Sequence, residues 1–338
     1  MRPKKRAVTI HDVARQAGVS TSTVSRVLNG KDDVSDETSE KVQRTVQSLG
    51  YTSSLAARGM RSQHTKVIGL IMPDVASPYC LEVLRGVNRA IAQLDYDLLI
   101  YTTGDIRKYG TADQERRYVK LLNGTITDGV IVVTPVATDF PTEAPLVVID
   151  PNNQEAGNPA LMSTNRAGAE EPMRYLTGLG HRHIAHITGR LELVSAIDRL
   201  EGYKDGLAKA GIAYDEDLIQ VGDYTTKTAE KCARALFAMD NPPTAIFAAN
   251  DLSAVGVYQA AQACGVRIPQ DLSVVGFDNL PESTYLNPQL TTVNQFVADM
   301  GTQAVEMIVK LVKGEKLEEN QVIMPTRLVI RDSCLAPG

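Results

Sequence analysis

The chain has 338 residues, of which 43% are apolar and 22% are charged, and its formal net charge is −5. This composition is typical of a soluble globular protein, and the length suits two or three domains. No apolar run approaches the roughly 20 residues that span a bilayer, and no apolar segment follows the basic N-terminus. The composition therefore predicts a cytoplasmic protein without a membrane partner.

The chain contains four widely spaced cysteines, namely Cys80, Cys232, Cys264 and Cys334. None forms a CxxC pair, so a disulfide framework or a structural zinc site is not expected. His181, His183 and His186 suggest metal ligands, but they lead into a predicted strand on which His183 and His186 point to opposite faces. We therefore expect no metal and no other cofactor.

Positive charge is concentrated in the first sixth of the chain. Residues 1–64 contain 11 Lys or Arg against 6 Asp or Glu, whereas the remainder contains 24 against 34. An acidic chain with a basic N-terminal segment is built like a nucleic-acid module attached to a larger domain.

Residues 9–28 have the pattern of two short helices joined at Gly18, with Thr9 and Asp12 as a capping box. The buried stripe of the first helix is Ile10, Val13, Ala14 and Ala17. Ser20 can cap the second helix, whose predicted inward residues are Val24, Val27 and Leu28. Its outward face carries Thr21, Ser22, Ser25 and Arg26. The pair is predicted to be a helix-turn-helix whose second helix lies in a DNA groove.

A third helix is predicted from Asp36 to Leu49, with Ser35 as its cap and Gly50 as its stop. These helices complete a headpiece over residues 1–51. The following segment, 52–64, is small, polar and basic. It is either a plain linker or a segment that becomes ordered only on a partner.

From Lys66 onward, short apolar runs alternate with amphipathic stretches of helical length. The predicted strands lie at 67–72, 98–101, 130–133, 146–149, 184–187, 245–249 and 274–277, and the helical stretches at 82–94, 228–237 and 254–264. This alternation predicts βαβ units with parallel sheets, and about 260 residues suffice for two lobes.

Polar residues follow the predicted strands, at Asp74, Thr134, Asp150, Asn250, Asp251 and Asp278. Ligands bind beyond the carboxyl ends of strands in open α/β sheets, and these side chains are suited to accept hydrogen bonds from hydroxyl groups. The alternative is that they cap helices or form turns.

Seven segments of the chain follow one another in a characteristic order: residues 8–14, 19–30, 56–60, 179–185, 199–203, 250–256 and 273–278. In sequence and in order they resemble segments of the LacI/GalR family of bacterial transcription regulators. The resemblance covers essentially the whole chain. It implies an α/β protein with a three-helix headpiece, a hinge helix over 52–64 and a dimeric, two-lobed periplasmic-binding-protein-like core with parallel sheets. One lobe is expected to comprise 66–164 and 294–324, and the other 165–293 and 325–332.

The resemblance also implies residue roles on double-stranded operator DNA. The base-reading residues are Thr21, Ser22 and Arg26 in the major groove, and Ala57 and Met60 of the hinge in the minor groove. Met60 takes the wedge position where leucine is usual. The phosphate-contacting residues are Thr9, Ser20, Thr23, Ser25, Asn29 and Tyr51.

For the core, the resemblance implies an effector pocket formed by Asp74, Ser77, Tyr79, Asp150, Ser195, Arg199, Tyr224, Asn250, Asp278 and Gln295. A bidentate donor such as Arg199 and an acceptor such as Asp278 suit a polyhydroxylated ligand such as a sugar.

The expected function is a homodimeric repressor of carbohydrate-utilisation genes, released from a palindromic operator by a sugar or sugar derivative. The alternative is a corepressor-dependent regulator that binds a purine or a phosphoprotein. An enzyme fused to a DNA-binding domain, such as a sugar kinase, is not expected, because the sequence has neither a GxxxxGK[ST] loop nor a convincing catalytic constellation. A secreted sugar receptor would need a signal peptide and would have no headpiece.

Overall fold

The structure is a computed structural model that describes residues 8–28, 33–51, 64–104, 111–123, 126–155 and 157–338. The predicted DNA contacts Asn29, Ala57 and Met60 lie outside the described residues. The chain divides into two compact units, Met1–Thr65 and Lys66–Gly338. No described helix is long and apolar enough to cross a membrane.

The described part of the first unit contains helices α1 (Ile10–Ala17), α2 (Thr21–Leu28) and α3 (Asp36–Leu49). The predicted capping box is confirmed, because the backbone N–H of Thr9 donates to Asp12 Oδ2 at 2.9 Å. Gly18 and Gly50 end α1 and α3 in the left-handed conformation that glycine adopts without a steric penalty.

The core of this unit is built from the predicted apolar stripes, and Val13, Ala17, Val24 and Val42 are fully buried in it. The prediction for Leu28 was wrong, since this side chain is 39% exposed. Leu28 is the last residue of α2, and it lies past the part of the helix that packs through Val24 and Val27.

The described residues of the second unit form two six-stranded sheets. The first sheet contains β1 (Val67–Met72), β2 (Asp97–Thr102), β3 (Gly129–Val133), β4 (Leu146–Ile149), β5 (Ala160–Ser163) and β11 (Gln321–Met324), in the order β11-β5-β4-β3-β1-β2. The second contains β6 (Ile184–Ile187), β7 (Ile219–Gln220), β8 (Ala245–Ala248), β9 (Ser273–Asp278), β10 (Thr291–Asn294) and β12 (Arg327–Val329), in the order β12-β10-β9-β8-β6-β7. Only the pairing of β10 with β12 is antiparallel among these strands.

Both faces of each sheet are covered by helices, which explains why most strands are apolar throughout. The helices are α4 (Pro78–Ile91), α5 (Thr111–Leu122), α6 (Asn165–Gly178), α7 (Val194–Lys209), α8 (Thr226–Phe237), α9 (Asp251–Cys264), α10 (Glu282–Tyr285) and α11 (Val297–Val312). On the first sheet, α4 and α11 cover one face and α5 the other. On the second, α6 and α7 lie opposite α8 and α9.

The helix predicted at 82–94 starts earlier, because Ser77 occupies the N-cap position and Pro78 the first turn. Proline is well tolerated there, since the first turn leaves its backbone N–H groups without helical partners.

The chain passes between the two sheets three times. It leaves the first sheet after β5, returns through α11 after β10, and leaves again between β11 and β12. Residues of the first two crossings touch, because Ser163 Oγ donates to Gln295 Oε1 at 2.9 Å. Thr164 Oγ1 likewise lies 2.9 Å from Thr326 Oγ1, which joins the first crossing to the third.

Helices α4 and α11 approach each other closely at two glycines. A Cβ atom at Gly86 would lie 1.7 Å from the carbonyl oxygen of Ala298, and one at Gly301 would lie 2.3 Å from that of Val83. No side chain fits at these positions without moving a backbone.

We expect Gly86→Ala to lower the free energy of unfolding by about 1–3 kcal/mol, because it overpacks this helix crossing. Urea unfolding of the full chain measures the change. Gly178→Ala is the matched control, since Gly178 is helical and a Cβ there has open space. It should be neutral or stabilising by up to about 1 kcal/mol. Equal effects of the two variants would contradict this description of the crossing.

Candidate functional site

The exposed face of α2 carries the predicted base-reading residues. Ser22 and Arg26 are exposed and Thr21 is half-buried. Ser20 fixes the start of the helix, because its Oγ accepts a hydrogen bond from the backbone N–H of Thr23 at 3.1 Å. In helix-turn-helix proteins, the first turn of this helix contacts base edges in the major groove of DNA.

The predicted phosphate-contacting residues differ in exposure. Thr9 and Ser20 are exposed, while Thr23 and Ser25 are half-buried at the flank of α2. Tyr51 is only 8% exposed and packs in the core of the headpiece.

Arg26 forms an ion pair with Asp33, at 3.3 Å between Nη1 and Oδ2. Both side chains are more than half exposed, at 56% and 54%. An exposed pair of this kind contributes at most about 1 kcal/mol, so the guanidinium can exchange Asp33 for another partner at little cost.

In the second unit, three polar residues at the carboxyl ends of strands have positive φ values. Thr134, Asp150 and Asp278 directly follow or end β3, β4 and β9, and their φ values are 42°, 52° and 115°. Non-glycine residues rarely adopt positive φ, and such strain tends to occur at ligand sites. The conformation turns these side chains away from the apolar core and toward the carboxyl edges of the sheets.

Arg199 and Asp278 form a buried ion pair at this edge. Arg199 Nη1 lies 3.6 Å from Asp278 Oδ1, and each side chain is at most 5% exposed. The guanidinium also stacks 3.8 Å above the ring centroid of Phe277. A buried pair remains charged only when further hydrogen bonds compensate for lost hydration.

Protein groups already satisfy most of the guanidinium. Nε donates to Asn165 Oδ1 at 2.9 Å, and Nη1 donates to the carbonyl oxygen of Ala249 at 2.6 Å. Nη2 makes no hydrogen bond to any residue that the structure describes. Since Nε and Nη1 are already engaged, Arg199 can offer a ligand Nη2 rather than the expected bidentate pair of donors.

Asp278 is held in a similar way. Gln295 Nε2 donates to its Oδ1 at 2.5 Å, and Ser163 in turn donates to Gln295. Asp278 Oδ2 has no hydrogen-bond partner within the described ranges. Burial raises the pKa of Asp278 to about 7, although Arg199 and the Gln295 amide lower it.

Asp150, Ser195, Tyr79 and Tyr224 lie around this pair. Burial raises the pKa of Asp150, while the charge of Arg199 and a hydrogen bond from Ser195 lower it. Ser195 Oγ also lies 3.5 Å from the hydroxyl of Tyr224. Seven predicted effector residues are thus brought together: Tyr79, Asp150, Ser195, Arg199, Tyr224, Asp278 and Gln295.

The Tyr79 hydroxyl is buried and has no hydrogen-bond partner among the described residues. Burial, followed by the charges of Asp150 and Asp278, raises the pKa of this hydroxyl well above its ordinary value. Because an unpaired buried hydroxyl is unfavourable, its position favours a ligand that supplies the missing partner.

Tyr224 is accommodated by a glycine. A Cβ atom at Gly189 would lie 2.0 Å from the Tyr224 ring, so no larger residue fits beneath it. Asn250 fixes the backbone of the same tyrosine, because its Nδ2 donates to the Tyr224 carbonyl oxygen at 3.3 Å.

Two of the polar residues at strand ends are engaged locally. Asn250 caps α9 by accepting from the Ser253 N–H at 2.9 Å. Asp74 is exposed and accepts from the N–H of Ala76 in a turn. The cap-and-turn interpretation therefore holds for these two contacts. Asp251 instead is fully buried and accepts from residues that are distant in the chain, Thr292 and the backbone of Leu280. Ser77 lies in the same turn as Asp74, since its N–H donates to the Asp74 carbonyl oxygen.

The three histidines that the sequence suggested as metal ligands, His181, His183 and His186, form hydrogen bonds within the second unit. His186 is stacked between Tyr203 and Phe247, and burial lowers its pKa to about 4. His181 lies 2.9 Å from Thr244 Oγ1 and 2.9 Å from the carbonyl oxygen of Leu335. Within the described ranges, no group of three or more His, Cys, Asp or Glu side chains could hold a metal ion.

Sequence reasoning missed Ser163, Asn165, Gly189 and Phe277 as parts of this site. Phe277 directly precedes Asp278 in a recognised motif, so its place could have been found. Ser163 and Asn165 have no local pattern, and only the passage of the chain between the sheets brings them to Arg199 and Gln295.

Two family models match the chain. Residues 9–54 match "Bacterial regulatory proteins, lacI family", and residues 173–334 match "Periplasmic binding protein-like domain".

Similar proteins cover almost the entire chain. The ribose operon repressor of Haemophilus influenzae is 35% identical over 96% of this chain and 98% of its own. The HTH-type transcriptional repressor PurR of Vibrio cholerae is 33% identical over 96% of this chain and 97% of its own. The crystal structure of the lac repressor bound to ONPG has a TM-score of 0.83 and 27% identity, over 97% of this chain and all of that one.

These matches extend through both units, and the predicted α/β fold with its N-terminal helices and two parallel-sheet lobes is confirmed. The chain belongs to the lacI family of bacterial regulatory proteins, which are DNA-binding repressors of transcription.

Proposed function

We propose that the protein is a cytoplasmic homodimeric repressor that a sugar or sugar derivative releases from a palindromic operator of carbohydrate-utilisation genes. One observation carries the ligand assignment. Arg199 and Asp278 are fixed by protein contacts, but Arg199 Nη2 and Asp278 Oδ2 have no hydrogen-bond partner among the residues that the structure describes. A donor beside an acceptor matches neighbouring hydroxyl groups, each of which can donate and accept.

The headpiece binds operator DNA in this proposal. Thr21, Ser22 and Arg26 read bases in the major groove, where Arg26 can meet both O6 and N7 of guanine. Thr9, Ser20, Thr23, Ser25, Asn29 and Tyr51 contact phosphates and set the register. Ala57 and Met60 of the hinge enter the minor groove, where Met60 wedges open a base step.

The effector lies between a lobe of residues 66–164 and 294–324 and a lobe of residues 165–293 and 325–332. Asp150, Tyr79 and Ser195 contribute further hydrogen bonds, and Tyr224 offers a stacking face. Gln295 holds Asp278 in place, and Asn250 holds the backbone of Tyr224. Asp74 and Ser77 contact the effector at the outer edge of the site. This assignment is supported by the convergence of six predicted effector residues around Arg199, namely Tyr79, Asp150, Ser195, Tyr224, Asp278 and Gln295.

Effector binding alters operator affinity only if it favours one arrangement of the lobes over another. Such coupling typically amounts to about 1–3 kcal/mol. The alternative is a purine corepressor that strengthens operator binding. The relative named PurR and the ring of Tyr224 favour it, so nucleobases belong in the test.

Arg199 provides the test of the effector site. In a gel-shift titration, D-ribose, cellobiose, lactose, adenine, guanine and hypoxanthine are each added to the full chain on an operator selected in vitro. We expect one sugar to release the wild type. Arg199→Ala should lose this release while retaining operator binding, because the ligand loses its Nη2 donor.

Arg199→Lys is the second variant, since it keeps the buried charge beside Asp278 but not the planar fork. It should also lose the response. A normal response of either variant would show that the pocket is misassigned. Tighter operator binding in the presence of a nucleobase would favour the purine alternative.

Arg26 provides the test of base reading. Arg26→Ala should reduce discrimination against single-base variants of the operator by about 1–3 kcal/mol at one position of each half-site. Fluorescence anisotropy with the selected operator and its variants measures this. Arg44→Ala is the matched control, because Arg44 is exposed on α3 and, within the described ranges, pairs with Glu40 alone. Unchanged discrimination in Arg26→Ala would contradict the assignment.

The raised pKa of Asp278 predicts a pH dependence of stability. A carboxyl group whose folded pKa is about 7 destabilises the fold as pH rises from its unfolded value near 4 toward 7. Replacing Asp278 by Asn also removes the partner of the buried Arg199, so the pH trend of the change is the readout. The Tm of ligand-free Asp278→Asn minus that of the wild type should be more positive, or less negative, at pH 8 than at pH 5. Thermal unfolding at both values measures the difference. Equal shifts at the two pH values would contradict a raised pKa.

A further inference from the structure

Five buried polar residues form a closed circuit, which we name the hinge ring: Ser163, Gln295, Asp278, Arg199 and Asn165. Its bonds run from Ser163 Oγ to Gln295, from Gln295 Nε2 to Asp278, from Arg199 Nη1 to Asp278 and from Arg199 Nε to Asn165. The circuit closes through the chain itself, because Ser163 and Asn165 are two residues apart. All five residues are at most 7% exposed.

The hinge ring spans two of the places where the chain passes between the sheets. Ser163 ends β5 and Asn165 begins α6, whereas Gln295 lies between β10 and α11. Asp278 and Arg199 belong to the second sheet and to α7. Any movement of the ion pair is therefore transmitted by direct hydrogen bonds to both crossings.

We propose that Ser163 and Asn165 are positioning residues, through which an effector held by Arg199 and Asp278 controls the two crossings. The inference rests on the proposed function of the cleft. Neither side chain needs to touch the effector. Each fixes one member of the site and is itself part of a crossing.

Ser163 determines which end of the Gln295 amide faces Asp278. Its hydroxyl donates to Gln295 Oε1, so the Nε2 end is left to donate to Asp278. Without the hydroxyl, Oε1 is buried and loses its donor. The amide keeps its contact with Asp278, but its link to Ser163 and thus to the first crossing is lost.

Asn165 determines which edge of the Arg199 guanidinium is free. Its Oδ1 accepts from Nε, while Ala249 accepts from Nη1, and Nη2 remains for the ligand. If the Asn165 acceptor is removed, a buried charged donor is left unsatisfied. The planar fork then rotates to find another acceptor, and the Nη2 edge moves away from Asp278.

The test compares two quantities in the full chain. The compound used is the sugar or nucleobase of the gel-shift panel that raises the wild-type Tm most. The first quantity is the affinity of the protein for this compound. The second is the coupling ratio, which is the operator Kd with saturating compound divided by the operator Kd without it. Ser163→Ala should move this ratio toward one by about fivefold or more, the lower range of typical coupling.

Asn165→Ala should weaken compound binding by about tenfold.

Conservative variants and a matched control separate positioning from general destabilisation. Ser163→Thr keeps the hydroxyl and Asn165→Asp keeps an acceptor, so both should recover most of the wild-type values. Ser253→Ala is the control, because the Ser253 Oγ is buried but makes no hydrogen bond within the described part of the chain. It should leave both quantities unchanged. Alanine variants that fold but keep the wild-type ratio and affinity would overturn the inference.

If no compound of the panel shifts the wild-type Tm, the proposed effector classes fail, and a ligand-free measurement tests the ring. Urea midpoints are compared for Asn165→Ala, Arg199→Lys and the double variant. The double variant should shift less than the two single shifts combined, because both single variants break the same contact. Additive shifts would show that Asn165 does not hold Arg199 and would overturn the inference.

Discussion

The buried ion pair of Arg199 and Asp278 is the interaction on which the proposed ligand site depends. Removing two charges from water costs several kcal/mol for each ion, and attraction between them does not by itself offset this cost. Here the compensation comes from Asn165, Ala249 and Gln295, which hydrogen-bond to the pair from the protein side. These contacts fix the orientation of the guanidinium and of the carboxyl group. If the proposed effector binds here, it meets groups that are already positioned, which reduces the entropy that binding would otherwise lose.

The surrounding architecture gives this pair its place. Two parallel sheets, each covered by helices on both faces, direct the carboxyl ends of their strands toward polar residues. Positive φ values at Asp150 and Asp278 turn carboxylates out of otherwise apolar strands. The three crossings lie beside one another and are joined by side-chain hydrogen bonds at Ser163 and Thr164. Two sheets joined by such a small polar connection are the kind of arrangement in which hinge closure around ligands operates.

The long apolar strands and the three headpiece helices could be predicted from the sequence, because their periodicity and caps are local signals. Strand β10 could not, since Thr291–Asn294 is mostly polar and is buried only by its neighbours. Leu28 was misassigned because helical spacing does not show where a neighbouring helix ends. Arg199, Asp278 and Gln295 were found through family resemblance, whereas Ser163 and Asn165 required knowledge of the crossings. Polar residues that hold other site residues in place, such as Ser163 and Asn165, form no recognisable pattern in the sequence.

The most direct test of the account is a crystal structure of the full chain with the compound that raises its Tm most. The account predicts that adjacent polar atoms of the ligand lie about 3 Å from Arg199 Nη2 and from Asp278 Oδ2. It also predicts that Asn165 and Gln295 keep their hydrogen bonds to this pair. A ligand bound elsewhere, or one that displaces Asn165 or Gln295 to reach Arg199 and Asp278, would contradict the account.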